Sequence, residues 1–448
     1  MWHSFRPVAS LLISVSIMFL GQGLLNTLLG VNLAAADLPS TISGLVMSGY
    51  FLGLVLGSIL AVHVIHRVGH IRAFAALAST FSAAALAHAF FSDPIFWGLL
   101  RVIAGFCMAG LLMCTESWLN EKATRETRGT VLSMYMIATY LSQGVAQFML
   151  ELGPTAGYML FALVSILLSA ALVPVALTKV PGPALPTPRR FGLRKLIQIS
   201  PTGVVGCLSS GVAMGAFYGV GPLFARNVGL DLSGTAAFMS AIILGGLILQ
   251  WPLGWVSDRF DRRPVIIFVG ISMSVVSAAL VALGLANLDL NTLGPIAALL
   301  GLGALFGATA STLYPLSAAL ANDWIDPQDM VPASGGLLLA YSVGAVAGPV
   351  VASVIMDLMG PPGLFALISV VGVVVTVFTF IRLQVRESIP LEEQAPVQMM
   401  PRMTAVAYTM LPSEDEDGQL CFDFDAPPDP ANETDAEQDP PDAAGQAA

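Results

Sequence analysis

The chain of 448 residues is 56% hydrophobic and only 11% charged, whereas an average soluble domain is roughly 25% charged. This composition excludes an ordinary soluble domain and predicts a protein that lies in lipid for most of its length. The net charge of −10 is unevenly divided, because residues 386–448 contain 15 acidic and 2 basic residues. The remainder is therefore slightly basic.

Twelve apolar stretches have the roughly 20 residues needed to cross a bilayer core of about 30 Å. They run approximately over residues 8–29, 42–65, 73–91, 95–119, 129–150, 157–177, 201–225, 233–256, 265–286, 293–320, 332–356 and 363–381. The first could be a cleaved signal, since Leu33-Ala-Ala-Ala-Asp37 resembles a signal-peptidase site. Its length and its polar residues favour a retained helix.

The spacing of these stretches predicts an all-α membrane protein with twelve transmembrane helices in two pseudo-symmetric six-helix bundles. We expect the bundles at residues 1–178 and 201–385, joined by a basic, proline-rich cytoplasmic linker at 179–200. The tail, 386–448, is rich in Pro, Asp and Glu and poor in apolar residues, which predicts disorder.

Basic residues predict the orientation, because loops on the cytoplasmic side carry an excess of Lys and Arg. With the N-terminus inside, 17 of the 19 basic residues fall on the cytoplasmic side. The exceptions are Arg226, in an outer loop, and Arg101, within the fourth span. We therefore expect a multi-pass protein of the cytoplasmic (inner) membrane with both termini inside. One inner loop, 322–329, is acidic instead.

A strongly charged turn lies between the eighth and ninth spans. It contains Gly254, Asp258, Arg259, Arg262 and Arg263. So many ionised side chains must face water. A weaker copy lies between the second and third spans. It retains Arg67, Gly69 and Arg72, with His66 at the position of the aspartate.

With six spans on either side of a linker and a charged turn in each half, residues 5–385 resemble the major facilitator superfamily, whose turn has the pattern Gly-x-x-x-Asp-Arg-x-Gly-Arg-Arg. The second turn of this chain matches that pattern except at Asp261, where glycine is usual, and the first turn is the weaker copy. The stretch Glu116-Ser-Trp118-Leu-Asn120-Glu, followed by Tyr140-Leu-Ser-Gln143, is similar to its YcaD-like branch. The resemblance implies a carrier that works by alternating access.

The same resemblance implies that the charged turn is a latch between the two bundles. In that role, Asp258 faces the positive N-terminal end of the fifth span near Gly129. The arginines of the turn pair with acids of their own bundle, of which Asp323 is the nearest candidate in sequence. Because the first copy lacks its aspartate, the latch is expected to be asymmetric.

Polar residues inside the spans are the best candidates for a solute or proton path, since lipid makes each one costly. Gln22 and Asn26 share one helix face at i, i+4, and so do Gln143 and Gln147. Arg101 is a permanent cation that needs a carboxylate, a carbonyl or an anionic substrate beside it. A coupling or substrate role and a structural ion pair both remain open for it.

Glu116 lies 15 residues after Arg101, about 22 Å along a helix, so the two cannot pair. It should reach the inner membrane edge near Arg67 and Arg72, either as a latch ion pair or as a proton-binding carboxylate. The resemblance implies a cavity lined by the first, fourth, seventh and tenth helices. That arrangement makes Gln22, Asn26 and Tyr314 candidate substrate contacts, with interhelical hydrogen bonds as the alternative.

Glycines recur every four residues on the second and seventh spans, at Gly49, Gly53 and Gly57 and at Gly211, Gly215 and Gly219. Small residues on one face let helix backbones approach closely. We therefore expect tight helix packing along both spans.

No phosphate loop, metal-ligand spacing or nucleophile–base set is present in the sequence, so we predict neither an enzyme nor a cofactor or metal. The prediction is a monomeric secondary transporter of a small solute, coupled to protons and contacting membrane lipid but no nucleic acid. The alternatives are an exporter of toxic compounds or a transporter-like receptor with the tail as its output.

Overall fold

The structure is a computed structural model that describes residues 2–36, 38–123, 127–177, 193–257, 259–286, 288–290, 292–325 and 329–385. Within these ranges the regular structure is entirely helical. The predicted tail and most of the predicted linker lie outside the described residues, as does Asp258.

Fourteen α-helices occur in the described ranges. In chain order they are α1 (Trp2–Ala35), α2 (Ser40–Val68), α3 (His70–Ala87), α4 (Pro94–Lys122), α5 (Arg128–Phe148), α6 (Met159–Ala170), α7 (Leu172–Ala176), α8 (Leu193–Ile199), α9 (Pro201–Asn227), α10 (Leu232–Ser257), α11 (Arg262–Leu285), α12 (Leu293–Asn322), α13 (Met330–Met359) and α14 (Gly363–Val385). A 3₁₀ turn, Met149–Leu152, follows α5. We call α1–α7 the first half and α9–α14 the second half.

Eleven helical segments of the described chain are long and apolar enough to cross a membrane, with α6 and α7 counting together as one. Helix α5 also has 21 residues. Its polar side chains, such as Thr139, Gln143 and Gln147, reduce its hydropathy. Many large aliphatic side chains remain exposed on the outer faces of the spans, among them Ile59 at 50% and Val373 at 50%. Such faces are suited to lipid contact.

Glycine faces join helices within each half. A Cβ atom on Gly53 of α2 would overlap the backbone of Val102 of α4, and one on Gly211 of α9 would overlap the backbone of Tyr341 of α13. The pairs α2–α4 and α9–α13 are among the most extensively packed in the molecule. The expectation of close packing on the second and seventh spans is confirmed.

The two halves meet through α2–α13, α5–α10 and α1–α9. Several of these contacts lie toward the end where α1 finishes and α2 begins, which we call the closed end. There, a Cβ atom on Gly30 would lie 2.8 Å from Pro222, and one on Gly44 would overlap Ser353.

Asp357, near the end of α13, accepts hydrogen bonds from the N-terminus of α2 at the closed end. The donors are the backbone N–H groups of Ser40 (2.7 Å) and Thr41 (2.9 Å) and the Thr41 hydroxyl (2.6 Å). The first N–H groups of a helix have no partner inside the helix, so a carboxylate from the other half satisfies them and faces the positive end of the helix dipole.

The acidic loop after α12 has basic partners at the opposite end of the bundle. Arg262 Nε lies 2.9 Å from Asp323 Oδ2, and Lys195 of α8 lies 3.4 Å from Asp329. Basic residues of α8 and α11 therefore pair with the negative charges of a loop that has no basic residue of its own.

Candidate functional site

A cavity of about 100 Å³ lies between the two halves. Its wall is formed by α1, α2, α5, α9, α10 and α13. The described residues that line it are aromatic, amide, hydroxyl and aliphatic, and none of them is charged. A space of this size holds several water molecules or one small solute.

All four amide side chains expected on helix faces line this cavity: Gln22 and Asn26 on α1, and Gln143 and Gln147 on α5. Gln147 is committed to the structure, because its Oε1 accepts a 2.5 Å bond from Thr27 and its Nε2 donates to the Gln143 carbonyl. Gln22 Oε1, by contrast, is buried without a hydrogen-bond partner among the described residues. Gln22 is therefore available to a solute.

Arg101 does not line the cavity but lies one layer behind it. It is fully buried, its Nη2 donates to Asn26 Oδ1 (2.8 Å), and its guanidinium carbon lies 4.5 Å from the centre of the Tyr50 ring. Asn26 and Tyr50 both line the cavity. The cation is thus held by an amide oxygen and an aromatic face, an arrangement that favours burial of a guanidinium.

Glu116 occupies a comparable second layer on the same helix. It is fully buried and accepts a 3.0 Å hydrogen bond from the hydroxyl of Tyr135, which lines the cavity. Arg67 and Arg72, expected near it, are exposed. The carboxylate is therefore connected to the cavity through one tyrosine hydroxyl.

Tyr314 also lies behind the wall. It is fully buried and packs edge to face against Tyr341, with ring centres 5.3 Å apart. Tyr341 lines the cavity and Tyr314 does not. The structure therefore places Tyr341, and not Tyr314, on the cavity wall where a substrate contact was expected.

The second charged turn joins α10 to α11. Gly254 is in the last turns of α10, and Arg259 stacks on Trp255 at 3.7 Å from the ring centre. Arg263 lies 3.4 Å from Asp261, whose carboxylate also caps α11. Together with the Arg262 pair, these contacts hold the turn against the second half, and an arginine of the turn does pair with Asp323 as expected.

The first turn joins α2 to α3 at Gly69. This residue has φ of +84°, a region that residues with a Cβ atom rarely adopt, and its N–H donates to the Ile65 carbonyl (2.8 Å). Arg67 and Arg72 are exposed on either side of it. The backbone conformation of the first turn thus explains why a glycine occupies this position.

The sequence did not single out several residues of the site: Tyr50 and Phe51 on α2, Tyr218 on α9, Tyr341 on α13 and the capping Asp357. A tyrosine in an apolar span is a usable signal, because its hydroxyl needs a hydrogen-bond partner when buried. Which side of the span it faces is not readable from an all-apolar pattern.

A multi-helix membrane protein with a central cavity between two packed halves has the architecture of a transporter. The comparisons identify the family: residues 11–297 and 239–411 match the model of the Major Facilitator Superfamily. The chain belongs to this superfamily.

Curated relatives agree with the YcaD-like resemblance. An uncharacterized MFS-type transporter of Enterobacter sp. (strain 638) is 29% identical over 370 residues, which are 82% of this chain and 93% of that protein. The uncharacterized MFS-type transporter YcaD of Salmonella heidelberg (strain SL476) is 28% identical over 374 residues, with the same coverage of both chains. The predicted superfamily and branch are confirmed.

Solved transporters share the fold at low identity. The nucleoside transporter NupG superposes with a TM-score of 0.69 at 15% identity, over 84% of this chain and 98% of that one. A bacterial homologue of the human lysosomal transporter Spinster, in an inward-facing, unoccupied conformation, gives 0.70 at 13% identity, over 88% and 98%.

Proposed function

We propose that this protein is a secondary transporter that carries a small, uncharged solute across the cytoplasmic membrane by alternating access, with the central cavity as the solute site. The observation that carries the proposal is a cavity between the two halves whose described lining has no charged side chain. A second part of the proposal is the full topology: twelve spans, with α5 among them, and both termini in the cytoplasm.

The wall chemistry supports an uncharged solute that has both polar and apolar surface. Gln22, Gln143 and Ser342 supply hydrogen-bonding groups, while Phe19 and Tyr140 supply aromatic surface. Binding sites of this mixed type use few polar groups for orientation and apolar contact for affinity. An anionic solute would face no cation on the cavity surface, since Arg101 is covered by Asn26 and Tyr50.

The test is a thermal-shift screen of the purified protein with uncharged sugars, nucleosides and amphipathic drugs beside matched carboxylates and phosphates. A hit is followed by uptake into proteoliposomes. Gln22→Leu is expected to weaken binding of the hit about tenfold or more, the loss of one hydrogen bond and an unpaired partner. Gln250→Leu on α10 is the matched control, because Gln250 is buried but does not line the cavity.

Two results contradict the proposal, the first its solute class and the second its solute site. One is stabilisation by the charged compounds alone. The other is equal loss of affinity in Gln22→Leu and Gln250→Leu, which would move the site away from the cavity.

We further propose that protons are the coupling ion and that Glu116 is the carboxylate that binds them. The supporting observation is its burial together with the hydrogen bond from Tyr135, which links the carboxylate to the cavity. A buried carboxylate within a span is a common proton-binding group in transporters.

Glu116→Gln keeps the shape and an acceptor for Tyr135 but cannot release a proton. We expect this variant to lose uptake driven by a pH gradient while retaining solute exchange at equal pH. Gradient-driven uptake at the wild-type rate would exclude Glu116 as the coupling group.

We also propose that the second charged turn, between α10 and α11, is a latch between the two halves. The Arg262–Asp323 pair and the Arg259–Trp255 stack keep the turn rigid against the second half, which supports it. Asp258→Asn is expected to leave expression intact and to slow transport, and transport at the wild-type rate would contradict the latch.

A further inference from the structure

A hydrogen bond inside the bundle joins the two halves directly. The side-chain Nδ2 of Asn26, on α1, donates to the backbone carbonyl of Tyr218, on α9, at 2.6 Å. Both residues line the cavity. An alternating-access transporter must break any such contact when the halves separate at the closed end.

The sequence of α9 explains why this carbonyl needs a donor. In an α-helix the carbonyl of Tyr218 would accept from the N–H of residue 222, but residue 222 is a proline, which has none. Gly30, one turn after Asn26 on α1, packs against the ring of Pro222. One face of α1 therefore contacts both Pro222 and the carbonyl that lies one helical turn before it.

Arg101 determines which way the Asn26 amide points. Its Nη2 donates to Asn26 Oδ1 at 2.8 Å, so the amide oxygen is engaged on the α4 side and the NH₂ group must face α9. Arg101 Nε and Nη1 have no hydrogen-bond partner among the described residues, so this bond is an important part of what holds the guanidinium. The resulting chain runs from α4 through α1 to α9.

We propose that Asn26 is a lock that stabilises closure between α1 and α9, and that Arg101 is a positioning residue that acts through Asn26. The lock rests on the proposed function only for its consequence for transport. Opening the closed end withdraws the Asn26 donor from the Tyr218 carbonyl in a region of low dielectric, where a lost hydrogen bond is costly.

The test measures the closed end without any solute. In a background with the four cysteines replaced by alanine, spin labels are placed on Ser92→Cys and Leu288→Cys, exposed positions in loops at the closed end of each half. Pulsed electron–electron double resonance then gives the distribution of distances between the two labels in lipid nanodiscs.

Asn26→Asp is the decisive variant, because a carboxylate still accepts from Arg101 but cannot donate to the Tyr218 carbonyl. We expect the ratio of open to closed molecules to rise about fivefold, the equivalent of about 1 kcal/mol for a net hydrogen bond. Asn32→Asp is the matched control. Asn32 Nδ2 donates to the Leu28 carbonyl within α1 (2.9 Å), so the same substitution removes the same kind of bond without crossing the halves.

Arg101→Gln should produce a shift similar to that of Asn26→Asp, because the amide of Asn26 is then free to turn. Pro222→Ala gives a second, independent measurement, since it returns an N–H to α9 that can bond to the Tyr218 carbonyl. In that background Asn26→Asp should change the distances much less than in the wild-type helix.

Distances unchanged by Asn26→Asp, or changed equally by Asn32→Asp, would overturn the lock. So would an Asn26→Asp shift that is the same size with and without Pro222. Because no solute is present, the lock can stand even where no flux is found, and flux through an unlocked protein would leave the transporter proposal intact.

Discussion

At the residue scale, the acidic loop after α12 forms two ion pairs that differ in burial, so their contributions to stability can be compared. Arg262–Asp323 is buried and Lys195–Asp329 is exposed. The Arg262 and Asp323 side chains are only 1% and 2% exposed, whereas those of Lys195 and Asp329 are 61% and 42% exposed. Breaking a buried pair leaves an uncompensated charge and costs about 3–5 kcal/mol. An exposed pair contributes about 0–1 kcal/mol.

We therefore expect Asp323→Asn to lower the melting temperature of the detergent-solubilised protein clearly, and Asp329→Asn to leave it nearly unchanged. The measurement is thermal unfolding of the two variants beside the wild type. Equal melting temperatures for all three would contradict an ion pair at Arg262. Recovery of stability in the swapped pair Arg262→Asp with Asp323→Arg would support it further.

His88, in the loop after α3, offers a pH-dependent test. Its ring is buried, stacks on Phe161 and bonds to the Ala84 carbonyl through Nδ1 (2.8 Å). Burial lowers the pKa of His88 to about 4, and the nearby Arg101 charge adds to the effect. Its Nε2 is buried without a partner among the described residues, which disfavours a second proton there.

Because the unfolded chain takes up this proton near pH 6.5 and the folded one only near pH 4, stability falls as the pH drops through that window. The slope contributed by His88 is about 1.4 kcal/mol per pH unit. His88→Phe keeps a stacking ring and removes the titration, so its melting temperature should fall less between pH 7 and pH 4.5 than that of the wild type. Parallel curves would mean that folding does not change the pKa of His88.

The sequence indicated which side of a helix the polar residues face only where two of them share that face. The pairs Gln22 with Asn26 and Gln143 with Gln147 line the cavity because i, i+4 spacing by itself defines one face of a helix. Arg101 and Glu116 lie one layer back. Their depth along α4 follows from counting residues, but their direction depends on neighbouring helices, since lipid-facing and protein-facing sides of these spans are both apolar.

At the element scale, the glycine faces make opposite predictions for two glycine-to-alanine substitutions. A methyl group on Gly53 would overlap the backbone of α4, whereas one on Gly301 of α12 would meet nothing within 4 Å. Glycine in a helix interior costs roughly 0.5–1 kcal/mol relative to alanine. Gly301→Ala should therefore be neutral to stabilising, and Gly53→Ala should destabilise the protein.

Thermal unfolding of both variants checks this expectation, with monodisperse gel filtration as the condition for comparison. If Gly53→Ala also unfolded at or above the wild-type temperature, α2 and α4 would not be packed through their backbones. The simplest explanation of that result would be a cavity between α2 and α4 that accommodates the added methyl group.

Helix identity was the more predictable part of the fold, because length and apolarity alone set the bounds of a span. The sixth span nevertheless divides into α6 and α7 at Ala171. Helix α5 illustrates a different conflict: the polar side chains that place it on the cavity wall also make it the least apolar of the predicted spans. In such helices the functional pattern weakens the very signal by which a span is recognised.

At the scale of the whole molecule, the proposed alternating-access cycle makes the contacts between the halves the determinant of which state is populated. Asp357 accepts hydrogen bonds from the N-terminus of α2 across the closed end. Asp93 makes a similar bond within one half, where its carboxylate accepts from the Phe96 N–H in the first turn of α4 (2.8 Å). The two carboxylates cap helices at the same end of the bundle. In the proposed cycle, separation of the halves breaks the hydrogen bonds of Asp357 and leaves that of Asp93 intact.

This difference predicts the effect of two alanine substitutions on the label distances described above. Removing a helix cap costs typically about 1 kcal/mol. In Asp93→Ala that cost lowers the melting temperature and leaves the distances between halves unchanged, because both states lose the same bond. In Asp357→Ala only the closed state loses it, so the ratio of open to closed molecules should rise about fivefold.

Asp357→Asn should lie between the wild type and alanine, since its amide oxygen can still accept one bond but its charge no longer faces the helix dipole. Acidification should act on the wild type in the same direction as this variant and should have no such effect on Asp357→Ala. If Asp93→Ala and Asp357→Ala moved the distances equally, closure would depend on helix stability in general. An effect limited to Asp357 would instead show that its hydrogen bonds between the halves, rather than helix capping in general, contribute to closure.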